Sequence, residues 1–177
     1  MIFRLSQKLA TKLKKGNLPS VPLDENPYAD WSAHLFLASR TQYVIVSNTK
    51  SLYSIVMYGK GITDDGTFID RALSAIREFT ENDDLAFLYQ RFIAPSSGSV
   101  QCAKALDRSV IGSMNELVKV ATYYLQSDDM SPFEIGFRLN EFLLSAIASS
   151  KKNRYGKPRE AFKTLAGGLI PGASAEE

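Results

Sequence analysis

Residues 31–58 read WSAHLFLASRTQYVIVSNTKSLYSIVMY, and this stretch decides the fold class. Segments rich in aromatic and β-branched residues predict strands, and three such segments span residues 31–38, 43–48 and 52–58. The links between them hold only a few residues, which is too short for a parallel crossover. The stretch therefore predicts an antiparallel meander of three strands.

Alternation along the first predicted strand separates its two faces, because successive side chains of a strand point to opposite sides of the sheet. One face takes Trp31, Ala33, Leu35 and Leu37, and the other takes Ser32, His34 and Phe36. His34 is the single histidine of the chain, so any histidine chemistry must use it. Two roles are open for it: a structural hydrogen bond between sheet and helix, or a ligand contact or general base.

The segments on either side of the meander predict one more strand and several helices. A short strand at residues 2–5 leads into a helix capped by Ser6, and a loop with three prolines follows at 17–30. Residues 100–103 predict a brief extended segment. Apolar residues at helical spacing predict further helices over about residues 64–81, 85–93, 107–126, 132–147 and 158–165.

The chain of 177 residues is expected to form a single α+β domain over residues 1–166, followed by a disordered tail at 167–177. This domain has a small, mostly antiparallel sheet built from the N-terminal strand and the three-strand meander. Several helices pack on one face of that sheet. The helix from Asp107 is expected to lie across it.

Polar and small residues cluster most densely around the start of that helix, in Lys104-Ala-Leu-Asp-Arg-Ser-Val-Ile-Gly-Ser-Met-Asn-Glu116. Asp107 is a good N-cap, and Ser109, Gly112 and Ser113 form a notch beside the apolar face of the helix. Two explanations of the notch are open: close packing of a second element, or a small anionic ligand held at the helix N-terminus with help from Lys104 and Arg108. The core-facing stripe contains Val110, Met114, Leu117, Ala121 and Leu125.

The candidate site residues extend beyond this helix. A catalytic set would use His34 as the base, with Lys104 and Arg108 stabilising an anion. Asn48 has a second explanation, because asparagine is common in turns. The other ligand-binding candidates are Arg40, Asn48, Ser109, Ser113 and Asn115.

Composition limits the classes of partner. The net charge of +2 is too small to imply a nucleic-acid binder by itself. The lone Cys102 excludes an intramolecular disulfide and a cysteine zinc cluster, and it fits a reducing cytoplasm. One histidine cannot make a two-histidine metal site, so we expect neither a metal nor another cofactor, although spacing alone leaves a carboxylate-only magnesium site open. No apolar run reaches transmembrane length, so no membrane partner is expected.

Several separated motifs resemble a family of uncharacterised bacterial proteins. The central motif, K-x-x-x-R-S-V-(I/L)-G-S-M-N-(D/E), is matched from Lys104 to Glu116, with Ala105 where the family usually shows Thr. In order, the chain also shows FRLSQKL at 3–9, DW at 30–31 before AH at 33–34, QY at 42–43 before Asn48, and SLYS at 51–54. The resemblance covers about residues 1–125 and is looser around 139–162. The same domain precedes some plasmid open-reading-frame-three-like proteins. The resemblance to this family implies one domain and no particular activity, cofactor or catalytic residue.

We therefore expect a non-catalytic binding or regulatory module whose polar and basic site surrounds the N-terminus of the helix in 104–116. Its partner would be a protein or a small anionic ligand. The alternative is a nucleic-acid-binding protein, or a metal-independent nuclease-like enzyme that uses His34, Lys104 and Arg108. Basic residues cluster at 8–15 and at 151–159, and they favour nucleic acid if the fold brings them together. The sequence leaves open whether the chain is an enzyme.

Overall fold

The computed structural model describes residues 1–106, 108–127, 130–148 and 154–168. Four predictions lie outside these ranges: the N-cap at Asp107, the turn around 128–129, residues 151–153 of the second basic cluster and residues 169–177 of the tail.

Within the described ranges the chain forms one sheet and several helices. The strands are β1 (Ile2–Leu5), β2 (Asp30–Ala38), β3 (Thr41–Asn48), β4 (Ser54–Tyr58) and β5 (Gln101–Lys104). The helices are α1 (Gln7–Lys12), α2 (Asp65–Asn82), α3 (Ala86–Leu88), α4 (Arg108–Ser127), α5 (Pro132–Asn140) and α6 (Pro158–Thr164). A π-helical turn continues α3 at Tyr89–Ile93, and 3₁₀ turns occupy Pro27–Ala29, Ala94–Ser96, Ser145–Ile147 and Leu165–Gly168. None of the helices placed here is long and apolar enough to cross a membrane.

The sheet has the strand order β4-β3-β2-β1-β5. The meander of β2, β3 and β4 is antiparallel, as predicted. β1 runs parallel to both of its neighbours, with Phe3 opposite Trp31 on one side and Cys102 on the other. The α+β class and the mostly antiparallel sheet are thus confirmed. The extended segment predicted around residues 100–103 is a fifth strand of this sheet, which the prediction did not include.

Helices cover both faces of the sheet, so the prediction that they pack on one face is wrong. On one face, Trp31 and Val46 pack with Phe68 and Phe79 of α2. The other face carries a second core, formed by Phe36, Tyr43, Ile45, Met114, Leu117 and Ile135. The physical reason is that both faces of the meander are largely apolar, and each must be removed from water. As predicted, α4 lies on the sheet through its apolar stripe.

The loop between α1 and β2 is fixed by a buried ion pair at the base of the sheet. Arg4 donates two hydrogen bonds of 2.8 Å to the carboxylate of Asp30, and both side chains are almost fully buried. The same guanidinium donates to the carbonyls of Val21 and Pro22, so the loop is a packed crossover. The backbone N–H of Lys104 donates to the carbonyl of Pro19 at 2.9 Å. The loop therefore helps to place the end of β5.

Candidate functional site

Two adjoining cavities lie where the start of α1, the middle of β2 and the first turns of α4 meet. One has a volume of about 470 Å³ and the other of about 560 Å³. They share four lining residues: Ser6, Gln7, His34 and Ile111. We call the first the Lys104 cavity, the second the Asn115 cavity, and the two together the His34 groove.

His34 forms part of the wall common to both cavities. It lies in β2 opposite Ile45, and only 8% of the residue is exposed. Its imidazole forms no hydrogen bond or ion pair with any described residue. No buried side-chain nitrogen or oxygen in the described ranges lacks a partner, so the ring nitrogens must face the open space of the groove. The ring nitrogens are thus accessible to water or to a ligand, although most of the residue is buried.

Burial also determines the charge of His34. Desolvation lowers the pKa of the imidazole below its usual value, because the charged form loses hydration. The ring is therefore neutral at pH 7. A neutral imidazole has one N–H donor and one nitrogen acceptor, so it can both donate and accept a hydrogen bond with a ligand in the groove.

Strand pairing explains why α1 begins next to His34. β1 is in parallel register with β2, with Leu5 opposite Ala33, and the N–H of Ser6 donates to the Ala33 carbonyl at 2.9 Å. The Ser6 hydroxyl then caps α1 by accepting from the Leu9 N–H. The next residues, Gln7 and Lys8, consequently line the groove.

Lysines contribute the positive charge of the groove. Lys104, at the end of β5, lines the Lys104 cavity, and Lys8 lines the Asn115 cavity. Both side chains are exposed at the rim, and neither forms an ion pair with a described residue. The groove therefore places two free ammonium groups at the rim above a neutral, hydrogen-bonding imidazole.

The first turns of α4 contribute Ile111 and Asn115, which lie one helical turn apart on the same side. Arg108 and Ser109 are exposed and line neither cavity, whereas Ser113 is buried. An added Cβ at Gly112 would meet no atom within 4 Å. No second element of the described chain therefore packs closely against Gly112, whereas Ser113 is covered.

Asn48 and Arg40 lie outside the His34 groove. Asn48 is fully buried and organises the turn between β3 and β4: its Oδ1 accepts from the Ser51 N–H at 3.0 Å, and its Nδ2 donates to the Pro27 carbonyl at 2.7 Å. Arg40 lies in the two-residue turn between β2 and β3, where Ser39 and Arg40 both have positive φ, as that hairpin turn requires. Arg40 lines a third cavity, which Gln42 connects to the groove.

The structure brings some of the predicted candidate residues together. His34 lies together with Lys104 in one cavity and with Asn115 in the other, as part of the predicted set. Gln7, Lys8 and Ile111 were not predicted as site residues. Lys8 reads as one of several lysines on a solvated face, and only the register of β1 beside β2 reveals that it is next to His34.

Metal coordination receives no support from the groove. In residues 1–106, 108–127, 130–148 and 154–168, no three side chains of His, Cys, Asp or Glu are grouped so that they could hold a metal ion.

Comparison with protein families identifies the family of the chain but no activity. The sequence matches the model of a domain of unknown function, DUF6933, over residues 2–161. The chain belongs to the DUF6933 family. This match includes the segment after residue 125, where the motif resemblance was looser, and it ends inside α6. No curated protein and no solved structure is significantly similar to the chain. The described residues of the His34 groove are therefore the source of functional information for this DUF6933 domain.

Proposed function

We propose that this DUF6933 domain is a non-catalytic binding module that holds an anionic, hydrogen-bonding ligand in the His34 groove. The observation that carries the proposal is the nearly buried imidazole of His34, which faces the groove without a partner in the described protein. A bound ligand would form hydrogen bonds with these accessible ring nitrogens. Lys8 and Lys104, both without an ion pair to a described residue, would attract negative charge to the same place.

The ligand would need two kinds of polar group. An anionic oxygen would accept charge-assisted hydrogen bonds from Lys8 or Lys104, and such bonds are roughly twice as strong as neutral ones. A hydroxyl or amide would satisfy both the donor and the acceptor of the neutral His34 ring and of the Asn115 side chain. Nucleotides and phosphorylated sugars combine these two groups in one molecule.

Binding is favoured over catalysis because the groove offers only one titratable group suited to proton transfer. Neutral His34 has the form that a general base requires. However, among the described residues that line the two cavities none is acidic, and the chain has no second histidine. Arg108, which the nuclease alternative requires, lines neither cavity. The described lining residues therefore offer a nuclease no acidic side chain or second histidine as a further acid–base group.

Nuclear magnetic resonance can test the proposal directly, because a single histidine gives a single set of imidazole signals. We expect uridine 5′-monophosphate to shift the ¹⁵N signals of His34 in a saturable manner, and inorganic phosphate to do so more weakly. Lys104→Ala should weaken nucleotide binding about tenfold, which corresponds to about 1.4 kcal/mol.

Lys50→Ala is the matched control, since Lys50 is an exposed lysine outside the lining of the groove. It should leave the titration unchanged. The proposal is wrong if millimolar nucleotide and phosphate leave the His34 signals in place, or if Lys50→Ala weakens binding as much as Lys104→Ala. Turnover of a nucleotide ester that His34→Asn abolishes would favour the enzyme alternative.

A further inference from the structure

The third cavity continues the His34 groove towards the end of the β2–β3 hairpin. It has a volume of about 360 Å³ and is lined by Lys12, Arg40, Thr41, Gln42, Lys60 and Gly61. Gln42 lines both this cavity and the Asn115 cavity. The Nζ of Lys12 donates to Oε1 of Gln42 at 2.7 Å, so a cation is held where the two cavities meet. We call this third space the Arg40 cavity.

Positive charge is concentrated along the three cavities. Lys8, Lys12, Arg40, Lys60 and Lys104 line them, and none of the described lining residues is acidic. In the described ranges none of these five forms an ion pair, whereas several cations elsewhere do, including Lys15, Arg77, Arg159 and Lys163. The net charge of the chain is only +2. The lining of the three cavities is nevertheless cationic, because its described cations have no acidic partners there.

We propose that the three cavities form one channel for single-stranded RNA, an inference that rests on the proposed function of the His34 groove. The channel follows β2 from His34 to Ala38, which is about 13 Å at about 3.3 Å per residue, and continues to the hairpin turn. That length accommodates about four nucleotides, at a spacing of about 3.4 Å along a stacked strand. Cations at both ends and in the middle match a chain of phosphates.

The polar groups of the channel favour RNA over an acidic peptide. Neutral His34 and Asn115 each present a donor and an acceptor, whereas Gln42, whose Oε1 already accepts from Lys12, offers its amide donor. The carboxylates of an acidic peptide only accept hydrogen bonds, so only its backbone N–H groups would donate to the acceptors of His34 and Asn115. A ribose 2′-hydroxyl donates as well as accepts, and this is the group by which proteins distinguish RNA from DNA.

The shape of the channel favours a single strand over a duplex. His34 lies nearly buried between α1, β2 and α4, so a ligand must enter a concave site to reach it. A stiff duplex presents a convex surface, whereas a flexible strand can follow a groove. The aromatic residue that lines the groove, Phe36, is largely buried against Tyr43. Recognition should therefore depend on phosphate and ribose more than on base identity.

Fluorescence anisotropy with the full chain tests the channel. The probes are fluorescently labelled: single-stranded RNA (octauridylate), single-stranded DNA (octathymidylate), a duplex RNA of twelve base pairs and an octaglutamate peptide. Each is titrated at several salt concentrations. We expect octauridylate to bind at least tenfold more tightly than the other three and than uridine 5′-monophosphate. Lys60→Ala should weaken octauridylate binding severalfold and reduce the slope of log K against log salt by about 0.7, the value for one phosphate contact of a single strand. Lys50→Ala should change neither.

The outcomes separate this inference from the proposed function. If uridine monophosphate shifts the His34 signals but octauridylate binds no more tightly, or if Lys60→Ala behaves like wild type, the groove remains a small-ligand site and the channel is wrong. Equal or tighter binding of the peptide or the duplex replaces single-stranded RNA with that partner. Octathymidylate binding equal to that of octauridylate overturns the role of the 2′-hydroxyl.

Discussion

The His34 side chain determines the chemistry of the groove at the scale of single residues. The neighbouring side chains of the same strand, Ala33 and Leu35, pack in the opposite core. On its own face, Phe36 and Ala38 enter the second core, but the space above His34 is left open between α1 and α4. A polar residue at this position of an apolar face costs stability unless a ligand or water completes its hydrogen bonds.

The pH dependence of stability should show this cost. Burial lowers the folded-state pKa of His34 below the unfolded value of about 6.5. Below pH about 6.5 the unfolded chain therefore binds a proton that the folded chain refuses, so the unfolding free energy falls as pH falls towards the folded pKa. In His34→Asn this contribution is absent. The stability of wild type relative to His34→Asn should thus decrease between pH 7.5 and pH 5, as measured by urea denaturation.

Direct titration of the single imidazole by nuclear magnetic resonance gives the independent check. A folded-state pKa at or above 6.5 would contradict the expectation, as would a difference between the two proteins that stays constant with pH. Addition of an anionic ligand should move the pKa upward, because a nearby negative charge favours the protonated ring.

At the scale of elements, α5 caps the β4 edge of the sheet at Ser54. β4 is an edge strand, and unpaired edge groups are a liability. The side-chain amide of Asn140 takes the place of a neighbouring strand: its Oδ1 accepts from the Ser54 N–H at 2.7 Å, and its Nδ2 donates to the Ser54 carbonyl at 2.9 Å. This pair of hydrogen bonds between the end of α5 and the edge of β4 positions α5 against both α4 and the sheet.

Two helical glycines with different surroundings should respond in opposite directions to an added methyl group. A Cβ at Gly136 would lie 2.5 Å from the ring of Phe79, which is buried in the core. Gly136→Ala should therefore destabilise the fold by about 1–3 kcal/mol, the usual range for overpacking. At Gly112 nothing lies within 4 Å, and Gly112→Ala should stabilise α4 by about 1 kcal/mol through helix propensity. Thermal and urea denaturation of both variants measure the two effects. A Gly136→Ala variant at least as stable as wild type would show that the contact between α5 and α2 is wrong, and a destabilised Gly112→Ala variant would contradict the open space at Gly112.

At the scale of the whole molecule, local patterns predicted the elements better than their pairing. Aromatic and β-branched runs predicted the meander, although β4 begins at Ser54 and not at 52, because Leu52 has a positive φ in the preceding turn. The pairing of β1 with β5 joins residues about a hundred positions apart, and no local signal reports it. The same long-range pairing brings Lys104 near His34, so the site could be guessed from residue types but not assembled from the sequence.

The last described helix belongs to the same core as the meander. Phe162 of α6 is fully buried, and its ring stacks on that of Tyr53 with the centroids 4.3 Å apart. The Tyr28 hydroxyl donates to the Phe162 carbonyl at 2.9 Å. Arg159 donates to the carboxylate of Asp83, which also accepts from the Tyr53 hydroxyl at 2.7 Å. These contacts join the last described helix to residues in the first half of the chain.

Residues 1–166 should unfold as a single cooperative domain. Phe162→Ala should lower the unfolding free energy by about 3–5 kcal/mol, because it empties a filled site in the shared core. It should also shift one unfolding transition as a whole, with far-ultraviolet and near-ultraviolet circular dichroism changing together. Phe87→Ala is the matched control: Phe87 is 63% exposed, so the loss should stay within about 0.5 kcal/mol. Hydrogen exchange that opens residues 158–166 well before the strands would show instead that α6 is a separate, weakly attached unit.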